Sequence, residues 1–184
     1  MKDENGLEVT GGNTEVITIL GNFRAELLKM GKGVTDILTH AANHPENTLI
    51  QAYCATVYLY GQNGETDIEA HKFLNRANET LASANDREKL FVSALDSWYL
   101  GRLDETAKKL EDIISKWPSD LVSSKVLEFI YYSLGQQYSG PRFLMAMEGI
   151  YEANKIRGIS CRATRSHKSC AGSTTEPWPR LSGQ

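Results

Sequence analysis

"WYLGRLDETAKKLEDIISKWP", residues 98–118, decides the fold. Gly101 ends one apolar stretch, and Trp117-Pro118 ends the next. Between them Leu103, Ala107, Leu110, Ile113 and Ile114 recur at spacings of three and four, which draws one apolar stripe along a helix. Charged residues fill the other side. A chain that turns at a glycine, runs four helical turns and stops at a proline is the second half of a helical hairpin. Such a hairpin cannot bury its own apolar face and has to be stacked on another.

Working outward, the same punctuation recurs. Residues 13–30, "NTEVITILGNFRAELLKM", give a helix with Val16, Ile19, Leu20, Phe23, Leu27 and Met30 on one face. Asn13 or Thr14 can accept from the free N–H groups of its first turn. "GKG" at 31–33 breaks it. A shorter helix follows over 34–44 and closes at His44-Pro45, since proline disfavours the α conformation in the residue before it. Residues 46–60 form a third helix, and "GQNGETD" at 61–67 is a turn by composition. Thr66 or Asp67 then caps a fourth helix over 68–82. "SAND" leads into a fifth over 87–100, and a sixth is capped near Asp104. Pro118-Ser119-Asp120 stops it and caps a seventh over 121–134, and an eighth runs from about Pro141 to Asn154. No segment shows the sustained alternation of a strand.

Gly101 and Gly135 lie 34 residues apart, each after an apolar helix ending "WYLG" or "YSLG". Thirty-four residues is the tetratricopeptide period. Gly101, Leu103, Thr106, Leu110, Ile113 and Pro118 occupy the small, large and closing places of that repeat. Ile17, Leu20, Gly21 and Pro45 do so less fully in the first unit, and Ala70, Leu74 and Ala77 in the second. The fold expected is all-α: a tetratricopeptide-like α-solenoid of about four antiparallel helical hairpins over residues 13–155.

The run Arg87-Glu88-Lys89, Trp98 to Gly101, Leu110, Pro118, Asp120-Leu121, Lys125 and Tyr132 to Gly135 resembles the tetratricopeptide repeat protein 38 family. That family is related to a protein of glycopeptide-antibiotic gene clusters. The resemblance covers roughly residues 14–155. Family members continue with further helical pairs, so this chain reads as a truncated one.

Residues 1–12, polar and glycine-containing, are expected to be disordered. Residues 156–184 break the pattern more sharply. They carry Arg157, Arg162, Arg165, Lys168 and Arg180 against Glu176, whereas the rest of the chain has 15 basic and 22 acidic residues. With no apolar periodicity, this tail reads as disordered and not native family sequence, the product of a retained intron or a shifted frame.

The overall charge of −3 offers no field for nucleic acid or an anionic membrane. No stretch approaches the roughly 18 apolar residues of a membrane span. The start, "MKDENGLEVTGGN", lacks the basic n-region and apolar h-region of a secretory signal, and three cysteines do not make a disulfide framework, so a cytoplasmic protein is expected.

Candidate chemistry is thin. Cys161, His167 and Cys170 fall short of the four ligands of a structural zinc site. His40, His44 and His71 have no ligand partners at helical spacing. Asp104-Glu105 and Glu111-Asp112 sit among lysines on a solvated face. "GKGV" and "GQNGE" follow no strand and are not phosphate loops. No catalytic residue, cofactor or metal is expected.

What remains is an interaction surface. Asn22, Tyr53, Tyr60, Trp98 and Tyr99 fall on first helices of hairpins, which line the concave face of such an array. They are the residues expected to meet a protein or peptide partner. In the chaperone-tail version of the repeat a lysine–asparagine clamp works on that face. Asn22 fits one asparagine place, but Thr18 stands where lysine is needed, so chaperone tails are not expected. The alternative reading is an accessory or small-molecule-binding domain of a biosynthetic enzyme. At the far end Phe143, Leu144, Met147, Ile150 and Tyr151 lack a capping unit, which predicts self-association through the last repeat.

Overall fold

The structure is a computed structural model that describes residues 1–135, 138 and 140–155, the side chains of 153 and 155 aside. Among these the fold is all-α. Helix α1 spans Thr14–Leu28 and is followed by a 3₁₀ segment, Lys32–His40. Then come α2 (Thr48–Leu59), α3 (Gly64–Glu79), a short 3₁₀ turn (Leu81–Ser83), α4 (Asp86–Tyr99), α5 (Leu103–Lys116), α6 (Leu121–Leu134) and α7 (Pro141–Lys155).

Side-chain caps explain where five of these helices begin, while α5 follows Arg102 with no side-chain cap, so the cap expected near Asp104 is not made. Asn13, Asn47, Asn63, Asn85 and Asp120 each accept a backbone N–H of the first turn that has no partner within the helix. Asn63, rather than Thr66 or Asp67, caps α3, and Thr66 closes the capping box. Asn85 does the same with Glu88 on α4. At the other end of α4, Gly101 has φ +72°, its N–H reaches the carbonyl of Trp98, and the Arg102 N–H reaches that of Ser97. This is the doubly bonded left-handed cap that glycine serves best.

The second expected helix is 3₁₀ rather than α. Val34, Thr35, Ile37 and Thr39 are β-branched and lower α propensity. The Thr35 and Thr39 hydroxyls donate to the carbonyls of Lys32 and Asp36, three residues back. That spacing suits the tighter winding.

Neighbouring segments pack as antiparallel pairs: α1 with the 3₁₀ segment, α2 with α3, and α4 with α5. Helices α2, α4 and α6 run in the same direction. Their capped N-termini share one edge, and Tyr60, Trp98 and Phe129 meet at the other, with ring centroids 4.7–5.5 Å apart. Helix α1 touches both α2 and α6. Phe23 of α1 stacks on Tyr53 of α2 at 4.7 Å, and Tyr53 meets Phe91 of α4 edge-on. The buried residues form one continuous cluster from Val9 to Ile150. Helix α1 thus covers part of the faces of α2 and α6.

Residues 1–12 do not trail into solvent. Leu7 and Val9 are buried, Lys2 and Glu8 form an antiparallel bridge, and the Asp3 carboxylate accepts from the N–H groups of Asn5 and Leu7. Two apolar residues and a side-chain-closed turn suffice to seat a segment whose composition reads as disordered. At the other end, Phe143 and Ile150 of α7 are buried, while Leu144 and Met145 stand exposed. The tail, residues 156–184, lies outside the described residues.

Candidate functional site

The strap of residues 1–12 crosses the edge where α2, α4 and α6 begin, and each of those helices supplies it with a partner. The Asn47 side chain donates to the Thr10 carbonyl at 3.2 Å. The Asn85 and Arg87 side chains both donate to the Glu8 carbonyl, at 3.2 and 2.8 Å. The Thr10 N–H donates to the Glu88 carboxylate, and the Asn5 side chain to the Ser119 carbonyl. The Asn85 N–H and side chain also donate to the Thr10 hydroxyl, at 3.2 and 3.3 Å, so this edge holds both main-chain groups and side chains of the strap. It is peptide-binding chemistry carried out within one chain.

Arg87 is the centre of this edge. Its guanidinium bonds the Asp120 carboxylate at 2.8 Å and the Glu8 carbonyl, with Glu88 alongside. Arg87, Glu88 and Asp120 are all buried. Burial is the largest influence and disfavours the charge, but Asp120, Tyr53 and Glu88 together hold the guanidinium above its ordinary range. Arg24 reaches from α1 to Asp3 and Glu4, folding the strap onto its own helix.

At the opposite end lies an apolar cleft of about 330 Å³, walled by Phe23, Leu27, Val34, Val57, Tyr60 and Phe129. The Tyr60 hydroxyl, which faces α6, donates to the Lys125 carbonyl at 3.4 Å, so the wall offers little polar chemistry. A second cleft, of about 460 Å³ between α1 and the 3₁₀ segment, has Asn22 on its rim.

Of the five residues expected to meet a partner, Tyr60 and Trp98 touch, but the five do not form one surface. Tyr53 and Trp98 are buried, and burial pushes the Tyr53 hydroxyl above its ordinary pKa. Tyr60 is half-buried between Trp98 and Phe129. Tyr99 is exposed on the outer side, stacked on His71 at 5.2 Å. Asn22 is exposed on α1, away from both. The residues that hold a peptide segment here are Asn47, Asn85, Arg87 and Glu88. The sequence singled out two of them, Arg87 and Glu88, in the "REK" lead-in, but nothing in it says that a strap would come to lie there.

Cys54 is buried beside the Ile37 carbonyl, and burial pushes its thiol up to about 12. Among the described residues no group of three or more His, Cys, Asp or Glu is placed to hold a metal. No described helix is long and apolar enough to cross a membrane. Cys161, His167 and Cys170 lie outside the described residues. No protein-family model, no curated protein and no solved structure matches this chain.

Proposed function

We propose that the chain is a protein-interaction scaffold of the cytoplasm. On this reading it is a non-enzymatic, tetratricopeptide-like α-solenoid related to the tetratricopeptide repeat protein 38 family. The face of α2, α4 and α6 takes a partner's peptide segment. The observation that carries the reading is the strap: the N-terminal edge of these three parallel helices holds the returning arm of a short hairpin by the Glu8 and Thr10 carbonyls and the Thr10 N–H. Main-chain recognition of this kind accepts many sequences, which suits a scaffold. The partner competes with residues 1–28 for the same face.

A peptide library screened against the full chain tests this. Val9→Asp loosens the strap and should raise peptide capture. The peptides selected should be displaced by a synthetic segment of residues 1–28. Selection of no peptide that this segment displaces would end the proposal.

One observation favours the alternative, a small-molecule-binding or accessory domain of a biosynthetic enzyme: the apolar cleft beside Phe23 and Phe129. Its volume is at the lower end of the roughly 300–1,000 Å³ typical of ligand sites. Saturable binding of an apolar fluorophore, abolished by Val57→Trp, would speak for it.

A further inference from the structure

We propose that residues 1–28 are an exchangeable arm, and that a second copy of this chain occupies the face of α2, α4 and α6. The inference rests on the same face as the scaffold reading but names its occupant. Three observations carry it.

The arm is a unit. Arg24 binds Asp3 and Glu4, and the Met1 ammonium donates to the Val9 carbonyl. Strap and α1 therefore stay together when they leave the body.

The arm meets the body through an interface that is already complete. Asn5 binds Ser119, Glu8 binds Asn85 and Arg87, Thr10 binds Asn47 and Glu88, and Phe23 stacks on Tyr53. Every one of these contacts can be made by another copy's arm without new chemistry, which is why exchange of an identical element is a low-cost route to a dimer.

The hinge is short and strained. Only Lys29, Met30 and Gly31 separate α1 from the 3₁₀ segment. Met30 has φ +54° and is exposed. Its N–H bonds the Leu27 carbonyl, and the Gly31 N–H bonds that of Glu26. This is the left-handed cap seen at Gly101, built here on a residue with a side chain. Opening the hinge lets Met30 return to an ordinary conformation, and strained short hinges invite exchange.

The test is light scattering on the full chain, incubated concentrated and then analysed over a dilution series. Wild type should form a slowly exchanging dimer. Met30→Gly removes the hinge strain and should lower the dimer fraction about fivefold. Met30→Pro cannot hold a positive φ and should raise it. The pair Asn5→Cys with Ser119→Cys places a thiol on either side of the arm–body contact. After oxidation the dimer should run as a covalent dimer on a non-reducing gel, beyond the level seen for wild type with its native cysteines. A monomer at every concentration in both wild type and Met30→Pro would overturn the proposal. So would a dimer that ignores residue 30 and is lost in Leu144→Glu with Met145→Lys, which would place the contact on α7. Either result leaves peptide binding by the same face to be judged by its own competition experiment.

Discussion

Arg87 and Asp120 face each other at 2.8 Å, with almost no surface left to water on either. Asp120 also caps α6 through the Ser123 N–H, and the second arm of Arg87 reaches the Glu8 carbonyl. One guanidinium thus joins the starts of α4 and α6 to the strap. Removing one partner of such a pair leaves the other charged and buried. Arg87→Met should therefore cost about 3–5 kcal/mol in urea unfolding. Asp120→Asn keeps a capping oxygen and removes the charge. Added to Arg87→Met, it should cost less than the sum of the two single changes by more than about 1 kcal/mol. Strict additivity would mean that the pair contributes nothing of its own.

Val9 tests whether the strap belongs to the core. It is 3 % exposed and joins the same cluster as Phe23 and Leu49. Val9→Ala removes two methyl groups from that cluster and should lower stability by about 2 kcal/mol. A loss within the roughly 0.5 kcal/mol expected of a surface site would return residues 1–12 to solvent.

The helices were legible because their signals are local. The stripe from Leu103 to Ile114 and the Asp120 cap depend on residues within a few turns of one another, and each appears where the spacing put it. Gly101 was legible for the same reason, since a left-handed residue at a helix end asks for glycine. The strap was not. Residues 1–12 have few apolar side chains, and much of what seats them lies about 80 residues or more away, in Asn85, Arg87 and Ser119. The aromatic residues misled for a related reason. Tyr53, Tyr60 and Trp98 stand on apolar helix faces, but Phe23 of α1 and Phe129 of α6 pack over them. Helix periodicity says which side of a helix is apolar, and it is silent on which distant element will cover it.

Met30 and Gly101 form a matched pair, because the same cap is built once on methionine and once on glycine. A Cβ added at Gly101 would meet nothing within 4 Å, so only the backbone conformation opposes it. Gly101→Ala should then cost about 1 kcal/mol, and Met30→Gly should gain a similar amount. Thermal melts of the two variants should move in opposite directions. Shifts of the same sign would show that side-chain contacts, rather than φ, decide the two positions.

Asp96 gives the pH dependence a sign. It sits half-buried on α4, where the Asn78 side chain donates to both its oxygens at 3.2 and 3.3 Å. Burial raises its pKa above the ordinary 3.8, against the opposing pull of Asn78, Lys109 and His71. A carboxyl whose folded pKa is raised binds its proton more readily in the folded state than in the unfolded one. Stability therefore falls as pH rises through the folded value, and it is regained on acidification between that value and 3.8. Other carboxylates titrate in the same range, so the comparison must be made against Asp96→Asn, which cannot take part. As the pH is lowered from 7 towards 4, the melting temperature of wild type should rise relative to that of the variant. If wild type instead loses ground to Asp96→Asn over that interval, the bonds from Asn78 and the nearby positive charge of Lys109 outweigh burial at this carboxylate.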